Sequence, residues 1–227
     1  MKDTLQSKPI LGSGVYTLPD IVLILGLPYS KVNHWINSFW NDRLAGKYQK
    51  SYTWDVDLTK AVNFHTLIEL YTFFLLSRAG VTSKELLNAH EILSDQFETY
   101  YPFATKKVLG GLKTDGKKVL FQQPNGSIYT VDVTLQFKLS FIKEFFKNLE
   151  FDTDTLASRF WPRGKENGIV CDPHHQFGQP TVTGTNIQSE ALYRMYLAKE
   201  PIKFIAALYE LSPDKIKHAI DFHKSVA

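Results

Sequence analysis

The sequence predicts a mainly α-helical protein with one β-hairpin, and three observations carry that reading. Apolar residues recur at helical spacing in windows from Thr17 to His223. Capping and stopping residues, among them Thr17 with Asp20, Gly26, and Thr82 with Glu85, bracket those windows. Only between Lys117 and Val133 does the period drop to two, on either side of Asn125-Gly126, a pair that tolerates positive φ and so favours a tight turn.

Residues 1–14 are polar and are read as a loose arm without the apolar run of a signal peptide. Thr17 and Asp20 can each accept from orphan helix N–H groups, and Ile21, Val22, Ile24 and Leu25 then form one face of a short helix. Gly26 ends it. Pro28 starts the next, where Val32, Trp35, Ile36, Phe39 and Trp40 give an amphipathic face. Two short helices joined at a glycine predict a helix-turn-helix. Ala45 to Asp57 lacks helical period and is read as a connection or a strand pair.

Phe64 to Leu76 is apolar but too short to span a bilayer, and reads as a buried helix in which His65 and Glu69 form a polar pair. Thr82 and Glu85 then open a helix carrying Leu86, Ala89, His90, Leu93 and Phe97. After Pro102 comes the hairpin, with Val119 and Phe121 before the turn and Tyr129, Val131 and Val133 after it. A helix with Leu135, Leu139, Ile142, Phe146 and Leu149 on one seam follows. Three helices close the chain: Ser189 to Ala198, a second from Pro201, and a third opened by Ser212-Pro213 that buries Ile216, Ala219 and Ile220. This is a homeodomain-like order. The expected domains are 1–50, a helical core with the hairpin at 51–151, a linker rich in turn residues at 152–168, and 169–227.

Two stretches resemble known families. YTLPDIVLILGLPYSKVNHWI, Tyr16 to Ile36, resembles the first helix-turn-helix of MerR-like regulators. Ile169 to His223 resembles the family of unknown function numbered four-three-three, through Asp172-Pro173, Phe177-Gly178-Gln179-Pro180, Gly184-Thr185 and Leu211-Ser212. The chain departs from these patterns at Asn186, where arginine is usual, at Lys199-Glu200, where a glycine is common, and at Asn33, where an arginine often meets phosphate. Together the resemblances imply a VapB-type antitoxin. Such a protein binds double-stranded DNA as a homodimer, neutralises a PIN-like ribonuclease toxin, represses its own operon and works in the cytoplasm.

The candidate DNA-binding residues of the front unit are Tyr29, Ser30, Lys31, Asn33, His34 and Asn37, which lie off the apolar face. Lysine suits phosphate or guanine and asparagine can read adenine bidentately. The competing reading is a solvated helix face. On the last helix Lys215, Lys217 and His218 are candidates too, but Asp214 and Asp221 sit among them, so dimer or partner contact competes with DNA there.

Composition bounds the alternatives. The net charge of +3 permits a nucleic-acid partner without requiring one. Sixteen Phe and eleven Tyr imply a ring-rich core or apolar surface that a partner covers. Cys171 is the one cysteine, which excludes internal disulfides and fits a reducing compartment. With His174 and His175 it makes an incomplete metal set, and no cofactor is expected. No nucleophile elbow, P-loop or dinucleotide fingerprint occurs, so no enzyme is expected. Two other readings remain: a transcriptional regulator without a toxin, and a metal-dependent hydrolase using Cys171 or the histidine pair.

Overall fold

The structure, a computed structural model, describes residues 12–114, 119–122, 128–130, 140–152 and 156–224. A two-residue strand β1, Tyr16–Thr17, leads into α1, Leu18–Leu25. The expected cap closes in both directions: Asp20 N–H donates to the Thr17 hydroxyl, and Thr17 N–H donates to the Asp20 carboxylate at 2.8 Å. Gly26 takes φ 65 and donates to the Val22 carbonyl, a left-handed stop that a side chain would strain. Pro28 caps α2, Tyr29–Trp35. The helix then runs on through nine residues of wider π turns, Ile36–Leu44, into α3, Ala45–Tyr48. The four-residue spacing of Ile36, Trp40 and Leu44 keeps all three fully buried.

The stretch read as a connection or strand pair contains α3 and then β2, Thr53–Val56, which turns at Asp57-Leu58 into β3, Thr59–Val62. β3 pairs with β2 on one side and with β1 on the other, Thr53↔Val62 and Tyr16↔Val62. This three-stranded sheet packs against α1 and the π-turn segment Ile36–Leu44.

Next comes α4, Phe64–Arg78, capped by the Asn63 side chain. It is buried on most sides, with Leu67, Ile68, Leu70, Phe73 and Leu76 all enclosed. Trp35, Phe39 and Trp40 bring their rings to within 4.9–5.7 Å of the Phe73 ring, so α4 is the post around which the front unit packs. The helix α5, Ser83–Gln96, starts at the Thr82 cap. Glu69 does not pair with His65. Its Oε2 lies 2.5 Å from His90 Nε2 on α5, and its Oε1 accepts from Phe103 N–H, while His65 contacts the Ala157 carbonyl. Helical spacing could show that His65 and Glu69 share a face, but not which neighbouring helix would supply the partner.

A single 3₁₀ turn, Pro102–Ala104, and α6, Lys106–Gly111, lead to three antiparallel strands: β4, Leu112–Thr114, β5, Val119–Gln122, and β6, Ile128–Thr130. The last two are the expected hairpin, with Phe121 opposite Tyr129. Its Asn125-Gly126 turn, Val131, Val133, Leu135 and Leu139 lie outside the described residues. The helix α7, Ser140–Lys147, stops before Leu149, which begins β7, Leu149–Phe151.

Residues 152–168, read as a linker, hold β8, Ala157–Phe160, paired with β7. Phe160 is enclosed, its ring 5.6 Å from Phe145 and 5.7 Å from Tyr71, so the segment is anchored in the core. The sheets beyond the one expected hairpin share a cause: strands of two to four residues are too short to show alternation. β9, Ile169–Val170, and β10, Thr181–Val182, continue the pairing, with a bridge from Phe160 to Cys171.

The chain closes with α8, Ser189–Leu197, α9, Ile202–Leu208, and α10, Pro213–Lys224. Ile216, Ala219 and Ile220 are buried as the apolar spacing predicts. Phe222 is buried in the core as well, with the Arg163 guanidinium over its ring. Lys199 takes φ 71 and thus a strained left-handed turn between α8 and α9. Among the described residues no helix is long and apolar enough to cross a membrane.

Candidate nucleic-acid interface

The front candidates divide over two flanks of α2 and its π-turn continuation. Tyr29, Asn33 and Asn37 recur every four residues and face the β2–β3 turn. With Asp55, Asp57, Leu58 and Lys60 they line a groove of about 320 Å³. Asn37 Nδ2 donates to both Asn33 Oδ1 and the Asn33 carbonyl at 2.9 Å. That double contact fixes two amides side by side and leaves the Asn33 NH₂ as donor and Asn37 Oδ1 as acceptor. Ser30 and His34 are exposed on the neighbouring flank, where His34 Nδ1 lies 3.3 Å from the Ser38 hydroxyl.

Lys31 is placed differently from the other five. Its Nζ lies 5.1 Å from the Trp35 ring and 5.3 Å from the Phe74 ring, so its charge rests on the aromatic seam between α2 and α4. Other cations of the front unit are engaged as well: Arg43 and Lys47 with Glu91, and Lys60 with Asp55. The groove is thus lined by amides and carboxylates more than by free positive charge. It suits reading base edges better than clamping phosphate.

Sequence reasoning missed Asp55, Asp57, Leu58 and Lys60. The usable signal was the Trp54–Val56 stretch before Asp57, where Asp57 adopts φ 49 and lets two residues close the turn. Leu58 at its tip is wholly exposed.

The candidates on α10 belong elsewhere, and the α2 groove includes none of them. Lys217 pairs with Asp214 at 3.0 Å, Lys215 is exposed and His218 is half-buried.

The back of α1 is fastened to the C-terminal third. Arg163 Nη1 donates to the Ile24 carbonyl at 3.2 Å and Nη2 to that of Leu23 at 3.4 Å, meeting the orphan carbonyls at the helix end. Val15 N–H donates to the Phe177 carbonyl, and Gln179 Nε2 donates to the Val15 carbonyl and to Asp20. Gly178 is required at this contact. A Cβ there would lie 2.2 Å from the Tyr16 hydroxyl oxygen.

The Cys171 and histidine cluster separates in space. Cys171 is fully buried toward the core, and burial pushes its thiol far up, which opposes the thiolate a metal or a nucleophile needs. His174 and His175 lie outside, both against Asp172. Burial would raise the Asp172 carboxyl, yet hydrogen bonds from Arg159 and from His174 N–H hold it below the usual carboxylate range. Arg159, Trp161, Asp172, His175 and Asn186 line a polar cleft of about 480 Å³ on this face. Among the described residues no three His, Cys, Asp or Glu side chains are placed to hold a metal ion.

Residues 169–223 match the family described as a protein of unknown function, DUF433. The DUF433 segment therefore covers β9, β10 and all but the last residue of the three closing helices. No curated protein matches the chain. Among solved structures, the X-ray crystal structure of Rv2018 from Mycobacterium tuberculosis is similar over 95% of this chain and 99% of that one, with a TM-score of 0.68 and 16% identity. At that identity the likeness shows a shared fold. It spans the front unit, the helical core and the DUF433 segment.

Proposed function

We propose that this chain is a DNA-binding antitoxin without catalytic activity, working in the cytoplasm as a homodimer that represses its own operon and neutralises a PIN-like ribonuclease toxin. In this reading α1, the Gly26 turn and α2 form a MerR-like helix-turn-helix, and the β2–β3 hairpin is its wing. The DUF433 segment is a homeodomain-like unit that supplies dimer and toxin contacts.

The observation that carries the DNA reading is the fixed Asn33–Asn37 amide pair on the exposed flank of α2, beside a hairpin. Its free donor and acceptor match the N7 and N6 edge of adenine in the major groove. The engaged lysines and the nearby Asp55 and Asp57 imply modest affinity per copy, which is why a dimer on an inverted repeat belongs to the proposal.

The test is a mobility-shift titration on the DNA upstream of the chain's own coding sequence, at several salt concentrations. Asn33→Ala with His34→Ala should weaken binding to that DNA while leaving binding to unrelated DNA nearly unchanged. Lys31→Ala should have the smaller effect, because its charge is directed at rings. Equal binding of the variant and the parent would remove α2 from the interface. The toxin arm is tested by co-purification with the product of the neighbouring gene.

A further inference from the structure

A second cleft, of about 360 Å³, lies where α1 meets α8 and α10, and the DNA reading leaves it unused. Pro19, Asp20 and Leu23 of α1 form one wall, and Tyr193 and Leu197 of α8 form the other. The floor is rigid. Ser189 is fully buried with its hydroxyl 3.0 Å from His223 Nε2, and the His223 ring lies parallel to Tyr193, 5.0 Å between centroids and 7° between planes. Because Ser189 is sealed off, this pair fastens α8 to α10 and offers no nucleophile.

Charge decides what the cleft can hold. On the rim Glu190 and Arg194 neutralise each other at 2.7 Å. Burial lowers the proton affinity of His223, so the floor adds no positive charge near neutral pH. Asp20 Oδ2 takes hydrogen bonds from neutral donors, the Thr17 N–H and hydroxyl and the Gln179 amide. No cation of the protein is bonded to Asp20 through these contacts, and at the edge of an apolar cleft a carboxylate attracts a cation more strongly than in water.

We propose that this cleft is a binding site for a small organic cation with an apolar body, its amine on Asp20 and its body between Leu23 and Tyr193. The volume fits the lower part of the range of small-molecule sites, about 300–1,000 Å³. An occupant of this kind touches the first helix of the chain and the C-terminal helices at once.

The test uses the full chain without DNA and two probes of similar size and opposite charge, phenethylamine and phenylacetate. Titrations are followed by calorimetry and by proton–nitrogen amide spectra. The amine should give saturable shifts around Asp20, Leu23 and Tyr193, and the acid should give none. Asp20→Asn should weaken the amine by about tenfold or more. Asp20 also caps α1, so Leu23→Trp, which fills the cleft and spares the cap, provides a second variant. It should keep the parent spectrum elsewhere and lose the amine. No saturable shift with the amine, equal binding of the acid, or unchanged binding in Leu23→Trp would overturn the proposal. Since no DNA is present, a chain that binds the amine but no DNA keeps this site and loses the nucleic-acid reading.

Discussion

The carboxylate of Glu69 on α4 holds the imidazole of His90 on α5, and neither side chain reaches solvent. The second oxygen of Glu69 takes Phe103 N–H, and the Ser94 hydroxyl lies 3.3 Å from His90 Nδ1. Three elements of the core therefore share one polar knot inside an aromatic shell that includes Trp40 and Phe103.

Breaking that knot from one side should be severe. Glu69→Leu leaves His90 and the Phe103 N–H buried without their acceptor, and should lower stability by about 3–5 kcal/mol. Glu69→Leu combined with His90→Leu should recover part of the loss, since an apolar pair leaves fewer orphaned groups. Urea unfolding of both variants decides this. A double variant no more stable than the single one would show that packing, not the polar pair, sets the loss.

Stability should also fall on mild acidification. Burial pulls the proton affinities of His65 and His223 below the usual histidine value. The unfolded chain therefore takes up protons, near the ordinary value of about 6.5, before the folded chain does. The contribution of neutral burial is complete above that pH and is lost as pH drops toward the lower folded values. Asp172 acts in a separate window: its depressed carboxyl supports the fold down to about the ordinary carboxylate value of 3.9 and loses that support below it. The check is the urea midpoint between about pH 7.5 and about pH 5.5, with His223→Gln, which can still meet Ser189, flattening the profile. A midpoint that rises on acidification would reject the assignment.

Self-association should run through α9. Phe204 and Leu208, four residues apart, stand 51% and 57% exposed, and Leu197 at the end of α8 is exposed as well. These three are apolar surface available for a dimer, whereas Phe222 is buried and Tyr193 and Tyr196 are only half-exposed. Light scattering should report a dimer for the full chain and a monomer for Phe204→Glu with Leu208→Glu. A monomeric parent, or a dimeric variant, would move the contact elsewhere.

Local chemistry was legible where it is decided within a few residues. The Thr17–Asp20 cap, the Gly26 stop and the buried stripe of Ile216, Ala219 and Ile220 all followed from spacing. Illegible features depend on partners distant in sequence. Nothing near Glu69 names His90 as its partner, and nothing near Phe160 announces that a turn-rich stretch will bury a ring against Tyr71 and Phe145. The candidate interface was half legible in the same sense. The polar residues of α2 could be picked out, but only one of the two rings under Lys31, Trp35, is near it in sequence; the other, Phe74, comes over forty positions later.

The clasp of Arg163 on Leu23 and Ile24 also bears on how the molecule comes into being. Its partners are separated by 139 and 140 positions, and the Gln179–Val15 contact by 164. Contacts of such span close late in folding, after local helices have formed. During synthesis the first helix leaves the ribosome long before the residues that fasten it, so the chain must carry an unlatched front end until residues 163–179 have emerged. A nascent chain arrested before Arg163 should therefore be cut readily by protease around α1, and the finished chain should resist cutting there.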